Sequence, residues 1–294
     1  MPDSNPLQGF FRKPKFQLSL PSKGKWWPSG SIELNENGTV NVISMSASDD
    51  LKFKASETSI SGTSTYELIK SCIPNIKAPE HTPSIDLDVI LLSIRRATYG
   101  NELVLTVPVP GTSLTRKITL DISSLLSNYA KDAEWVEDLT IVNEQNEELK
   151  VKVVPNAAKS LFAITKSLSK QQQHAMRVAE STDTDEDTKL ESLDMTIKGV
   201  NEVKLTSVTD CITEITVGDY KITNHTEITD NLKNLDVEFF NAIQDHLMVQ
   251  RKKYAFQPIE CTSTESEIAA GAPPTWNAEL NFAHSDFFKN VDNE

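Results

Sequence analysis

Catalysis and metal binding need particular side chains at particular spacings. The histidines, cysteines and clustered acids are therefore the first residues to weigh. His81, His174, His225, His246 and His284 stand apart, and none is spaced from another His, Cys or Glu as a metal-ligand set requires. Cys72, Cys211 and Cys261 are equally scattered and form no C-x-x-C, so free, mostly buried thiols are expected. The acidic run Ser181–Asp187 is the best cation candidate. Asp183, Asp185 and Asp187 take positions 1, 3 and 5 of a calcium loop, with Asp194 at position 12. Thr188 stands where that loop needs glycine, and position 12 needs a bidentate glutamate, so a solvated turn is expected instead. No G-x-S-x-G, H-E-x-x-H, Walker A or G-x-G-x-x-G occurs. A carboxylate pair for glycoside hydrolysis is a matter of geometry and leaves no mark in spacing. The expectation is no catalytic residue, no metal and no cofactor.

Residue types that make interfaces are more prominent. Residues 1–30 hold Arg12, Lys13, Lys15, Lys23 and Lys25 against Asp3 alone, with Pro2, Pro6, Pro14, Pro21 and Pro28. Proline at that density opposes helix and most ladder positions, so an extended basic arm is predicted. Phe10, Phe11, Trp26 and Trp27 make it more aromatic than a solvated tail needs to be. The rest of the chain has the opposite sign. The 294 residues carry 29 Lys+Arg and 42 Asp+Glu, a net charge of −13. That balance argues against binding nucleic-acid backbone or an anionic membrane surface. No apolar run is long enough to span a bilayer, and Met1–Phe16 has no apolar signal core, so a cytoplasmic setting is expected.

The elements around these residues read as an α+β fold with a mixed N-terminal part, a helical middle and a C-terminal β-hairpin. Residues 31–155 form the mixed part. Ile32 and Leu34, then Val40, Val42 and Met45, suggest two strands about the Asn37-Gly38 turn. Tyr66, Leu68, Ile69 and Ile73 suggest a short helix ended by Pro74. Over 82–99, Leu87, Ile90, Leu91 and Ile94 give a helical stripe. Thr82 is placed to cap that helix, Pro83 at its first position and Gly100 as its stop. Residues 102–126 read strand, loop, strand, short helix, and 141–154 a second hairpin.

Residues 156–254 form the helical part. Ala157, Leu161, Ile164, Leu168, Ala175 and Val178 make a heptad seam with Gln171 as its polar step, open to either an internal bundle face or an oligomer interface. Leu190, Leu193, Ile197, Val200 and Val203 mark a second helix, antiparallel to the first. A tight hairpin follows at Gly218-Asp219, then one helix from about Asp230 to Tyr254. Residues 255–294 return to strand, loop, strand. Their order repeats that of 102–126, which suggests that the two hairpins pack together.

Two passages carry a family resemblance. One is Leu20-Pro21-Ser22-Lys23-Gly24 with Pro28, Gly30 and a segment ending Met45–Leu51. The other is Asp88–Asn101, with Ile94-Arg95-Arg96-Ala97-Thr98-Tyr99-Gly100-Asn101 at its end. Their order resembles that of the baseplate hub assembly proteins of contractile-tailed, T4-like bacteriophages. Leu280–Phe288, with Phe287 and Phe288, is similar to the close of such chains. Some relatives carry a C-x-x-C in the turn of these hairpins, like half of a zinc ribbon. Val107–Ser113 has no cysteine and only Cys261 remains in the second turn, so a metal knuckle is not expected.

The resemblance implies a non-enzymatic baseplate hub protein or assembly factor. Its partners would be other hub proteins and the tape-measure protein, met in the host cytoplasm and carried into the virion tail. A tape-measure chaperone that leaves before completion is the alternative, and a peptidoglycan hydrolase a remote one. The implied partner-binding residues are Phe10, Phe11, Arg12, Lys13, Lys15, Lys23, Trp26, Trp27, Arg95, Arg96, Tyr99, Phe287 and Phe288. Oligomers through the 157–178 seam are also open.

Overall fold

The computed structural model describes residues 10–55, 62–180 and 186–280. It is an α+β fold of small antiparallel sheets and helices, as the periodicities predict. The presumed arm is the first departure. Its residues from Pro14 onward belong to the fold. Strand β1 (Pro14–Ser19) pairs with β2 (Thr39–Ile43), and Leu18, Leu20 and Trp27 are buried. Alternation explains this: Phe16 and Leu18 turn inward while Lys15, Gln17 and Ser19 stay out. Proline at the start of a strand is tolerated, because its missing N–H faces no ladder partner.

The predicted 31–45 hairpin is therefore corrected. Asn35–Gly38 does make a turn, but β2 takes β1 as its partner, and Ile32 forms only a lone bridge to Ile76. Helices α1 (Ala47–Ala55), α2 (Thr63–Cys72) and α3 (Ser84–Tyr99) follow. On α3, Ile85, Leu87, Ile90, Leu91, Leu92 and Ile94 are all buried, so it is a core helix with no solvent face over most of its length. Each such side chain contributes roughly 1.5–3 kcal/mol by leaving water. Gly100 stops it with φ 96°, a left-handed angle that only glycine adopts freely. Its start differs from expectation. Thr82 turns its hydroxyl to the Pro79 carbonyl, Pro83 is the cap residue, and the Ser84 N–H donates to the Asn156 carbonyl.

Strands β3 (Glu102–Pro108) and β4 (Thr115–Asp121) form a hairpin closed by α4 (Ile122–Asn128). Strands β5 (Asp138–Val142) and β6 (Glu148–Val153) form the next. Helices α5 (Ala158–Glu180) and α6 (Glu186–Thr209) make the predicted helical hairpin. Strands β7 (Ile212–Val217) and β8 (Tyr220–Ile222) then join β5 and β6 in one sheet of order β5-β6-β7-β8. That sheet draws its strands from both sides of residue 155. The single helix expected over 230–254 is two, α7 (His225–Lys233) and α8 (Val237–Lys252), separated at Asn234–Asp236. Asp236 caps α8 by accepting from the Glu238 N–H. Last come β9 (Ile259–Thr262), α9 (Glu265–Ala269) and β10 (Thr275–Ala278).

The buried residues form three clusters. One surrounds α3 with β1, β2 and α2. A second lies between the four-stranded sheet and α6, α7 and α8, and takes in Ile85 of α3. The third joins the β3–β4 hairpin to the β9–β10 hairpin through Val107, Val109, Cys261 and Trp276, so the two similar hairpins do pack together.

Candidate interaction surfaces

At the N-terminal edge, Phe10 is 86% and Phe11 56% exposed, beside the exposed Lys13 and Lys15. Lys23 is exposed on the following turn. These five predicted interface residues are exposed, and so is Arg12. Arg12 differs from them in that its guanidinium is held by partners in the chain. Its guanidinium lies 2.9 Å from Asp49 and donates to the Ser44 carbonyl. Burial alone would raise the Asp49 carboxyl. Hydrogen bonds from Ser46 and Ser71, with Arg12, hold it below the usual carboxylate range.

The Leu20–Gly24 motif is a latch. Asp86 on α3 is fully buried and accepts from the Ser22 N–H at 2.8 Å, the Ser22 hydroxyl at 2.5 Å and the Trp27 indole at 3.0 Å. Burial still lifts its pKa to about 6 against the pull of those donors. Trp26, next to Trp27, has φ 66°. This costly angle for a bulky residue turns the two rings toward different cores. Trp27 joins the α3 cluster, whereas Trp26 meets Trp135 edge-on at 6.0 Å and donates to Glu137. Lys25 reaches the same Glu137 at 2.5 Å. Burial would raise that carboxyl, but Lys25 and Trp26 bring it below its ordinary value.

The second motif is also used internally. Arg95 is 2% exposed, with Nε and Nη1 unpartnered and its guanidinium 5.6 Å from the Tyr99 ring. Arg96 lies over the Phe16 ring at 4.5 Å. Thr98 accepts from the Met45 N–H, and the Tyr99 hydroxyl donates to Asp50 at 2.5 Å. Asn101 accepts from the Ser123 N–H and hydroxyl. Trp26, Trp27, Arg95, Arg96 and Tyr99 thus have structural partners within the chain. Phe287, Phe288, Asp183 and Asp185 lie outside the described residues.

The helical hairpin presents a surface that its sequence did not reveal. The α5–α6 contact runs through small and polar residues: an added Cβ at Gly199 would fall 2.2 Å from Gln171 Nε2. The Gln171 step of the seam thus faces α6, which supports the internal reading there. Thr196, Gly199 and Val203 take the inner side of α6, so the predicted Ile197 and Val200 are left out. Ile197 is 51% exposed, and Met195, Val200, Leu168 and Met176 are exposed as well. Lys159, Lys166, Lys170 and Arg177 make α5 basic, whereas Glu186, Asp187, Glu191, Asp194 and Glu202 outnumber the lysines of α6.

Among the described residues, no group of His, Cys, Asp and Glu could hold a metal ion. Of the histidines, His225 pairs with Asp210 and His246 meets the Val136 carbonyl. The three cysteines are free and buried, and burial pushes the Cys72 thiol up to about 12. Among the described residues, no helix is long and apolar enough to cross a membrane.

Fold and surface together define an α+β protein whose sequence motifs tie its own elements together. The family described as T4 bacteriophage base plate protein matches residues 13–270, and the chain belongs to it. No curated protein and no solved structure matches it.

Proposed function

We propose that this chain is a non-enzymatic component of the baseplate hub, acting by occupying interfaces with other hub proteins. It assembles in the host cytoplasm and stays in the virion tail. The observation that carries this reading is the set of exposed apolar side chains on the helical hairpin: Ile197 and Val200 on one side of α6 and Met195 on another, with Leu168 and Met176 on α5. Exposed apolar side chains in this number on two adjoining helices favour a surface made for a partner. The occupant is another baseplate protein, because the family match covers the whole helical hairpin. The exposed Phe10, Phe11, Lys13 and Lys15 supply a second contact of opposite charge to the body. Family membership supports a structural role.

The test is capture of identified hub proteins from infected cells by the tagged chain. Ile197→Lys with Val200→Lys removes the exposed apolar residues of one side of α6, and deletion of residues 1–11 removes Phe10 and Phe11 but spares Arg12 and β1. Each variant is expected to keep the wild-type melting temperature and lose at least about tenfold in capture, about 1.4 kcal/mol of binding. Full capture by both would overturn the reading. Capture of the tape-measure protein alone would instead mark a chaperone.

A further inference from the structure

A hollow of about 220 Å³ lies where α3, α5, α6 and the end of α8 converge. Ile85, Leu161 and Ile164 give it apolar walls, and Asp88, Tyr129 and Arg251 line it as well. Most of its polar groups are engaged. The Tyr129 hydroxyl donates to the Tyr254 carbonyl at 2.5 Å. Arg251 Nη2 donates to Asn156 Oδ1 at 2.7 Å, and Asn156 Nδ2 donates to the Ser207 carbonyl. Asp88 is the exception. It is half-buried and has no hydrogen bond or ion pair among the described residues. Two residues earlier on the same helix, Asp86 accepts three hydrogen bonds. Burial with nothing to offset it lifts the Asp88 carboxyl to about 6.

A half-buried carboxylate with no partner in the chain is stabilised by whatever supplies a positive charge beside it. Arg251 lines the same hollow yet forms no ion pair with it. The volume is below the ~300–1,000 Å³ of typical cofactor and small-molecule sites, so it suits a single side chain. Apolar walls leading to a carboxylate match the methylene stem and charged head of a lysine or arginine.

We infer that this hollow is a socket for one basic side chain of a protein partner, its stem against Leu161 and Ile164 and its cation on Asp88. The socket deepens the interface reading and rests on it for the identity of the partner. A net charge of −13 draws basic partners toward it.

The test uses the isolated full chain and the probe Nα-acetyl-lysine methylamide, with neutral Nα-acetyl-norleucine methylamide as control. NMR follows the Asp88 carboxyl carbon through a pH titration. The other groups facing Asp88 are Arg251, Tyr129 and Tyr254 in the walls and Asp86 behind it. The lysine probe is expected to bind saturably and lower the Asp88 midpoint by about one pH unit or more. Norleucine should leave it unmoved, and Asp88→Asn should abolish the response. Asp88→Asn should also melt higher than wild type, because it removes an unpaired charge; a purely structural Asp88 would make it melt lower. An equal response to both probes, or none to lysine, would overturn the socket. The hub reading would be untouched by that result, since it is tested by capture of hub proteins.

Discussion

Asp86 and Asp88 show how two identical side chains on one helix acquire different duties. Asp86 organises the Leu20–Gly24 segment through Ser22 and Trp27. Removing the hydroxyl with Ser22→Ala leaves the buried carboxylate short of a donor. A loss of ~1–3 kcal/mol is expected in urea unfolding. No measurable loss would mean that the latch is incidental. Both carboxyls are raised from 3.8 to about 6 in the folded chain, so the native state binds more protons than the unfolded one between those values. Stability from these groups therefore rises as pH falls from 7 toward 5, by roughly 1 kcal/mol for Asp86 and less for the half-solvated Asp88. Asp49 and Glu137 act oppositely, but their contribution is lost only as pH falls below their ordinary values of 3.8 and 4.5. Melting curves at pH 7 and pH 5 check this: the wild type should gain stability at pH 5, and Asp88→Asn should gain less. A monotonic loss from pH 7 to pH 5 would contradict the assignment.

Among the elements, the two small hairpins are the clearest case of mutual support. The β3–β4 turn meets the β9–β10 loop at Gly111 and Gly271, where a Cβ on Gly111 would lie 2.8 Å from the Gly271 carbonyl oxygen. Gly111 also has φ +75°, so Gly111→Ala meets both backbone strain and a backbone clash. A loss of at least ~1–2 kcal/mol is expected, with faster hydrogen exchange in β9 and β10. An unchanged exchange pattern would show that the hairpins do not depend on each other. Elements of this kind were legible in the sequence because alternation and turn residues are local. The β3–β4, β5–β6 and β7–β8 hairpins, α2, α3 and the α5–α6 pair all follow from such patterns. Long-range pairing was not legible. Asn37-Gly38 signalled a turn correctly, but nothing local says that β2 pairs back to β1. The break at Asn234–Asp236 was missed because Leu232 and Leu235 continue the apolar stripe across it. The face that α6 presents was missed for a related reason. Periodicity favours Ile197 and Val200 as inward, whereas close approach of α5 selects Gly199.

For the molecule as a whole, the motifs that resemble the baseplate family turn out to hold the fold together. Ser22, Trp27, Arg96, Thr98 and Asn101 each have a partner within the chain. Their spacing carried the family reading, and the match over residues 13–270 agrees with it. It did not locate the surfaces offered to partners, because composition and spacing do not distinguish an arginine stacked on Phe16 from one left for a neighbour. Of the predicted arm, Phe10–Lys13 are the described residues that precede β1. What remains outside is the aromatic edge, the exposed apolar residues of α6 and the Asp88 hollow, the features the proposal assigns to protein partners. The central claim is that these surfaces place the chain in the baseplate of the finished tail. Quantitative mass spectrometry of purified particles beside the infected-cell lysate tests it most directly. The account predicts a fixed number of copies per particle, retained with the baseplate when tails are dissociated. Abundance in the lysate with absence from every particle would contradict it.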